Sequence, residues 1–168
     1  MSFNEVELRE VTQNDYDSLC SLFIISGDKR GIPFWHERFR LWWDNNPACG
    51  ENVEKGWILK DGQQIVGFLG NVPSLFQFNG EKTLVYNTTM WEVLPEYRNK
   101  SMQLLFSFLK AAKNTIFFCT TPSDEVEKIL NRLKFQTLPR DVNDRSVVLI
   151  NPKNFLKSYL GKKPIISP

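Results

Sequence analysis

The sequence predicts one α/β domain built on a mixed, mostly antiparallel sheet, and three observations predict it. Two tight hairpin signals come in series: Asp61-Gly62 between the runs Gly56-Trp57-Ile58-Leu59-Lys60 and Gln64-Ile65-Val66-Gly67-Phe68-Leu69-Gly70, then Asn79-Gly80. A long run from Lys82 to Val93, rich in β-branched and aromatic residues, passes through Pro95 into an amphipathic helix. Leu105, Phe108, Leu109 and Ala112 share one face of that helix. The apolar run Thr115-Ile116-Phe117-Phe118-Cys119-Thr120 then reads as a buried parallel strand reached by a right-handed crossover.

Taken in order, Glu5 to Val11 alternates charged and apolar residues, a half-buried first strand. Thr12 begins a helix, with Asp15 as its capping-box partner and Tyr16, Leu19, Cys20 and Phe23 as its buried stripe. Gly27 to Pro33 is a loop. Phe34 to Trp43 is a second helix, on which Trp35, Phe39 and Trp42 share a face, and Asn45-Asn46-Pro47 stops it. Pro73 interrupts the strand after the first hairpin, marking a bulge or an edge. After the second hairpin and the crossover, Ser123 caps a further helix with Asp124 and Glu125 in its first turn. Its buried stripe is Val126, Ile129, Leu130 and Leu133. Arg145 to Ile150 reads as a last strand, residues 151–160 as a short helix and the rest as a tail, giving a main domain over 1–150 and an appendage over 151–168.

Composition excludes several classes of function. A net charge of +2 is too small for the electrostatic footprint of a nucleic-acid binder. Three cysteines without C-x-x-C spacing do not make a disulfide framework, and a single histidine, His36, disfavours a metal centre. The start lacks a basic and apolar leader, and no apolar run approaches the roughly 20 residues of a membrane span. The expectation is a cytoplasmic domain with no nucleic-acid or membrane partner. The aromatic content of 13% implies a bulky core or an aromatic-lined cleft, and aromatics on the second helix are also a candidate homodimer contact.

The turn Pro95-Glu96-Tyr97-Arg98-Asn99-Lys100-Ser101 carries two cations and feeds a helix N-terminus, where backbone N–H groups and the dipole favour an anion such as a phosphate. Val93-Leu94-Pro95-Glu96-Tyr97-Arg98 resembles the strand-to-turn signature V-x-P-x-[YF]-R of the GNAT acyltransferase superfamily. The order of hairpins, long strand, turn and helix is similar to that of the same family. The resemblance implies a GNAT-like fold: a mixed, mostly antiparallel central sheet of about six to seven strands, flanked by helices, with splayed parallel strands at the centre. It also implies acetyl-CoA, or another acyl-CoA, as co-substrate.

Within that resemblance Val93, Leu94, Arg98, Asn99, Lys100, Ser101, Met102, Gln103 and, at the end of the neighbouring strand, Cys119 are the cofactor-binding residues. The family's two glycine positions hold Ser101 and Gln103, and the position of its usual tyrosine acid holds Leu130. Trp35, Trp42 and Asn46-Pro47 resemble a branch of the family met in bacterial polysaccharide gene clusters, with an amino sugar or other small amine as acceptor. On that reading Trp35, Phe39 and Trp42 wall the acceptor cleft; the alternative is that they are core.

Acyl transfer from a thioester to an amine needs a base, a polarised carbonyl and a protonated leaving thiol. Glu92, ending the central strand, is the candidate base. Asn87 and Thr89, expected on the opposite strand face from Glu92 together with Trp91 and Val93, are candidates to orient a water. A backbone N–H near Val93 is the candidate for polarising the carbonyl. Cys119 reads either as an acyl carrier or as a buried neutral thiol. The altered glycines leave two further readings: a binding domain that keeps the fold, or one half of a larger transferase.

Overall fold

In the computed structural model, which describes residues 6–137, β1 (Glu7–Glu10) pairs antiparallel with β2 (Gly56–Asp61), and β2 with β3 (Gln64–Asn71). The predicted last strand over 145–150, and the helix and tail over 151–168, lie outside the described residues. β4 (Ser74–Phe78) follows Pro73, and Asn79, at φ 50°, and Gly80 turn the chain into β5 (Glu81–Val93). The register that sets Asn71 opposite Thr88 runs on unchanged to Ser74 opposite Val85. β3 and β4 are therefore two halves of one long strand along one edge of β5. The break falls at Pro73, which has no N–H for a ladder, and Val72 N–H bridges it by donating to Asn87 O at 2.8 Å. β6 (Ile116–Phe118) pairs parallel with β5.

A capping box enters the first helix as expected, with Thr12 N–H and Oγ both donating to Asp15 Oδ2 at 2.8 Å. One turn of 3-10 helix over Gln13–Asp15 precedes α1 (Tyr16–Ile25). Arg9 clamps Asp15 with two bonds of 2.8 and 2.7 Å. Burial alone would raise the Asp15 pKa, but the Arg9 and Thr12 hydrogen bonds outweigh it and hold the carboxyl down at about 2.

The second helix differs from expectation at both ends. α2 runs Ile32–Phe39 with Pro33 in its first turn, and Arg40–Asp44 widens into a π-turn. Trp43 there donates Nε1–H to Asn71 O at 2.7 Å, and its ring stacks on Phe39 at 5.0 Å. The wider turn brings Trp43 round to the core beside Phe39 and Trp35.

Two apolar layers hold the sheet. α1 and α2 cover one face, with Tyr16, Leu19, Phe23, Trp35, Phe39 and Trp43 packed on Ile58, Ile65 and Phe68. α3 (Ser101–Ala111) covers the other, where the Phe108 ring lies 5.4 Å from Trp57, 5.9 Å from Tyr86 and 5.1 Å from Phe117.

The structure divides into two units, Met1–Pro122 and Ser123–Pro168. Within the second, α4 (Asp124–Arg132) is capped as predicted, the Ser123 hydroxyl accepting Val126 N–H at 3.4 Å.

Candidate functional site: the open parallel strand pair

β5 and β6 pair only at Val85–Ile116, Tyr86–Phe117 and Asn87–Phe118. β5 then continues to Val93, and among the described residues no strand pairs its outer edge beyond Asn87. The predicted parallel strand is thus present but shorter than the run 115–120, and Ile116 is exposed rather than buried. Two parallel strands that part company leave main-chain donors and acceptors lining a gap. Leu94 N–H is turned toward β3, donating to Val66 O at 2.9 Å. Alternation along the strand therefore turns Val93 N–H to the open edge.

A β-bulge shapes this edge. The β3–β5 register shifts between Phe68 and Gly70, with Phe68 opposite Glu92 and Gly70 opposite Thr89. Met90 sits in the left-handed region at φ 51°, a backbone state that a residue with a Cβ adopts at a cost of about 1–3 kcal/mol. The extra residue reverses the phase of the faces. Glu92 lies opposite Phe68, on the face covered by α1 and α2. Thr89 is on that face too, since a Cβ built on Gly70 would meet Phe68 and Thr89 Cγ2, both at 2.7 Å.

This corrects the expected alternation: Asn87 and Thr89 stand with Glu92, and Trp91 and Val93 turn the other way. Glu92 is half-buried, and among the described residues it has no hydrogen-bond or ion-pair partner. On the α3 side, Trp91 Nε1 is buried without a hydrogen-bond partner among the described residues.

A polar network underlies the gap. Asn71, fully buried, donates to Glu54 O at 2.9 Å and accepts Asn87 N–H at 3.2 Å. Asn87 donates to Val72 O at 2.8 Å and to Ser74 Oγ at 3.1 Å. Tyr86 OH donates to Glu54 Oε2 at 2.5 Å, and burial followed by that bond raises its pKa. Asn87 is therefore held by three neighbours, Asn71, Val72 and Ser74, rather than free to turn. The sequence reading missed Asn71; its signal was an amide at the end of an otherwise apolar strand.

The turn after β5 is tighter than expected. Pro95–Lys100 forms 3-10 turns that run straight into α3. Tyr97 N–H donates to Leu94 O at 2.9 Å, and Ser101 N–H to Arg98 O. These two amides are engaged locally, where the sequence predicted a row of unpaired donors. Tyr97 OH donates to Asp61 Oδ2 at 2.6 Å, tying the turn to the β2–β3 hairpin. Arg98, Asn99 and Gln103 are exposed, whereas Lys100, Ser101 and Met102 are half-buried, so Gln103 does not fill the hollow.

On α2, Trp35 and Phe39 are core residues. Trp42 is half-buried with Phe34 on the flank turned away from α1. His36 lies on the opposite flank, its Nε2 2.8 Å from Asp17 Oδ1 of α1. Cys20 is buried, its thiol pushed up to about 11 chiefly by burial, and Cys119 is half-buried at the end of β6. No cluster of metal ligands occurs among the described residues, and no described helix is long and apolar enough to cross a membrane.

No family model matches the sequence, and no curated protein matches it. Solved structures do. A predicted acetyltransferase with acetyl-CoA from Clostridium acetobutylicum is 21% identical, with a TM-score of 0.63, over 86% of this chain and 96% of that one. The aminoglycoside acetyltransferase AAC(6')-Iy, in complex with the bisubstrate analogue CoA-S-monomethyl-acetylneamine, is 14% identical with a TM-score of 0.61, over 86% and 99%. Glucosamine-6-phosphate N-acetyltransferase from Arabidopsis thaliana is 9% identical with a TM-score of 0.60, over 88% and 99%. A bulged central strand, a parallel neighbour that leaves it halfway, and these likenesses identify the fold of this chain as that of the GNAT acyltransferase superfamily.

Proposed function

We propose that this chain is an acyl-CoA-dependent N-acyltransferase acting on a small amine, an amino sugar among the candidates. The observation that carries the reading is the edge of β5 from Thr88 to Val93, open among the described residues, with the half-buried Glu92, unpartnered among them too, on the face beside it. Main-chain groups on an unpaired strand edge fit the amides of a pantetheine arm, in the manner of an added strand. Val93 N–H points into that gap and would stabilise the developing oxyanion, a contribution of about 2.7–4 kcal/mol when preorganised. A thioester supplies an acyl carbon that an amine attacks once its proton is taken; the C–N bond replaces the C–S bond, and coenzyme A leaves as a thiolate that solvent protonates. Glu92 is the group placed to take the amine's proton, directly or through a water held near Thr89. Arg98 and Lys100 supply charge for the phosphates beside the turn. Fold neighbours solved with acetyl-CoA and with a CoA bisubstrate analogue support the co-substrate class.

A second reading, a binding domain that keeps the fold without turnover, is favoured by one observation. The Tyr97 and Ser101 amides are already bonded, and serine and glutamine stand at the resemblance's two glycine positions. The discriminating experiment follows release of the CoA thiol from acetyl-CoA across a panel of amines and amino sugars, with melting curves in parallel. Turnover with any amine supports the transferase. A raised melting temperature without turnover supports the binding domain, and neither signal at millimolar acetyl-CoA removes acyl-CoA from both readings.

A further inference from the structure

We propose that the flank of α2 turned away from α1 is an acceptor subsite for an anionic group, with Arg38 as the residue that recognises it. The group is a carboxylate or phosphate carried by the amine that is acylated. This rests on the acyltransferase reading above and names the chemical class of its acceptor.

Steps of four residues set Phe34, Arg38 and Trp42 in a row along α2 and its π-turn, all half-buried. The Arg38 guanidinium carbon lies 5.2 Å from the Phe34 ring centroid and 5.8 Å from that of Trp42. Arg30, Arg40 and His36 each already have a carboxylate partner. Arg30 Nε is 2.9 Å from Asp28 Oδ2, Arg40 is 3.0 Å from Glu37, and His36 is 2.8 Å from Asp17. Arg38 has none among the described residues, its charge resting on the two rings alone. A guanidinium steadied by aromatic rings keeps its N–H edges for a planar, bidentate acceptor, and carboxylate and phosphate both match that fork.

The row also lies where an acceptor must lie. α1 packs on β3 and meets His36 on one flank of α2, and helical spacing sets Phe34, Arg38 and Trp42 on the other. Phe34 and Trp42 pack against the same core cluster as Met90 and Leu94 at the bulged end of β5. Asn46 Nδ2, at the foot of the row, donates to Pro73 O at 2.8 Å, and Asn87 bonds Val72 O in the same break. On this proposal Arg38, in the row that ends at Asn46, borders the face that carries Asn87, Thr89 and Glu92. A small molecule with its amine at Glu92 and its anion at Arg38 would span that face.

The test compares matched acceptors: phenylalanine against phenethylamine for the carboxylate, and glucosamine 6-phosphate against glucosamine for the phosphate. The full chain is assayed with acetyl-CoA, as wild type, Arg38→Gln and Arg38→Lys, with melting curves to show that each variant folds. In the arm carrying the right anion, the charged member is expected to exceed its neutral partner by about 10–100-fold in kcat/KM. Arg38→Gln should bring the charged member down to the level of the neutral one, and Arg38→Lys should retain part of the preference. Equal kcat/KM within both pairs, or a preference that survives Arg38→Gln, overturns the subsite while leaving the transferase reading intact. If acetyl-CoA neither binds nor turns over, the transferase reading falls, and calorimetry with the four compounds alone decides the subsite. Binding of a charged member that is lost in Arg38→Gln supports it, and no such binding overturns it.

Discussion

A carboxylate that is half-buried, without a donor among the described residues, beside a strand edge that no described strand pairs, is placed to receive a proton, and that describes Glu92. Glu92→Gln keeps the side chain's size and removes its basicity. Under the proposed chemistry kcat should fall by about 10²–10⁴-fold with acetyl-CoA affinity unchanged, which steady-state kinetics and calorimetry together would read. Equal losses in both would make Glu92 a binding residue instead. Asp15 illustrates the opposite use of a carboxylate, as a structural anchor. Its folded pKa of about 2 lies below its ordinary value of 3.8, so its stabilising effect is complete above about pH 4 and fades as pH falls toward 2. Asp15→Asn should destabilise by about 2 kcal/mol at neutral pH, and denaturant melts should show the gap closing toward pH 2. At this scale the sequence was legible where the chemistry is local: the Thr12–Asp15 capping box and the Ser123 cap need only the next few residues. The role of Arg38 was not legible, because it depends on which carboxylates its neighbours take.

Among the elements, β5 decides most. The two hairpins were readable because Asp61-Gly62 and Asn79-Gly80 carry their turn preference in their own chemistry, with positive φ at Gly62, Asn79 and Gly80. The bulge was not readable. Methionine has no preference for φ 51°, and the register shift is fixed by pairing with β3, far off in sequence. That one extra residue explains why simple alternation put Asn87 and Thr89 on the wrong face relative to Glu92. The bulge also makes a prediction. Met90→Val places a β-branched side chain in the left-handed region and should cost about 1–3 kcal/mol. Thr88→Val, in ordinary extended backbone two residues earlier, should cost under about 1 kcal/mol. Chemical denaturation of the two variants compares them directly, and equal losses would contradict a strained Met90. The π-turn at Arg40–Asp44 escaped the sequence for a similar reason, since it follows from where Trp43 finds Asn71 O.

For the whole molecule, the order of elements was legible and the gap was not, because the gap lies where no described strand pairs the outer edge of β5 from Thr88 to Val93. The phosphate end of the proposed ligand lies at the turn, where Arg98 is exposed and Lys100 half-buried. Arg98→Glu should therefore weaken acetyl-CoA binding by about tenfold or more, and Lys60→Glu, on β2, should leave it nearly unchanged. Equal effects would mean that overall charge, rather than the turn, attracts the ligand. The open edge itself is tested most directly by hydrogen exchange of the full chain with and without saturating acetyl-CoA. Slowed exchange concentrated in the β5 segment Thr88–Val93 and at the end of β6, with β1 and β2 unaltered, is the predicted result. Ligand-bound protein whose β5 and β6 amides exchange as they do without ligand would contradict it.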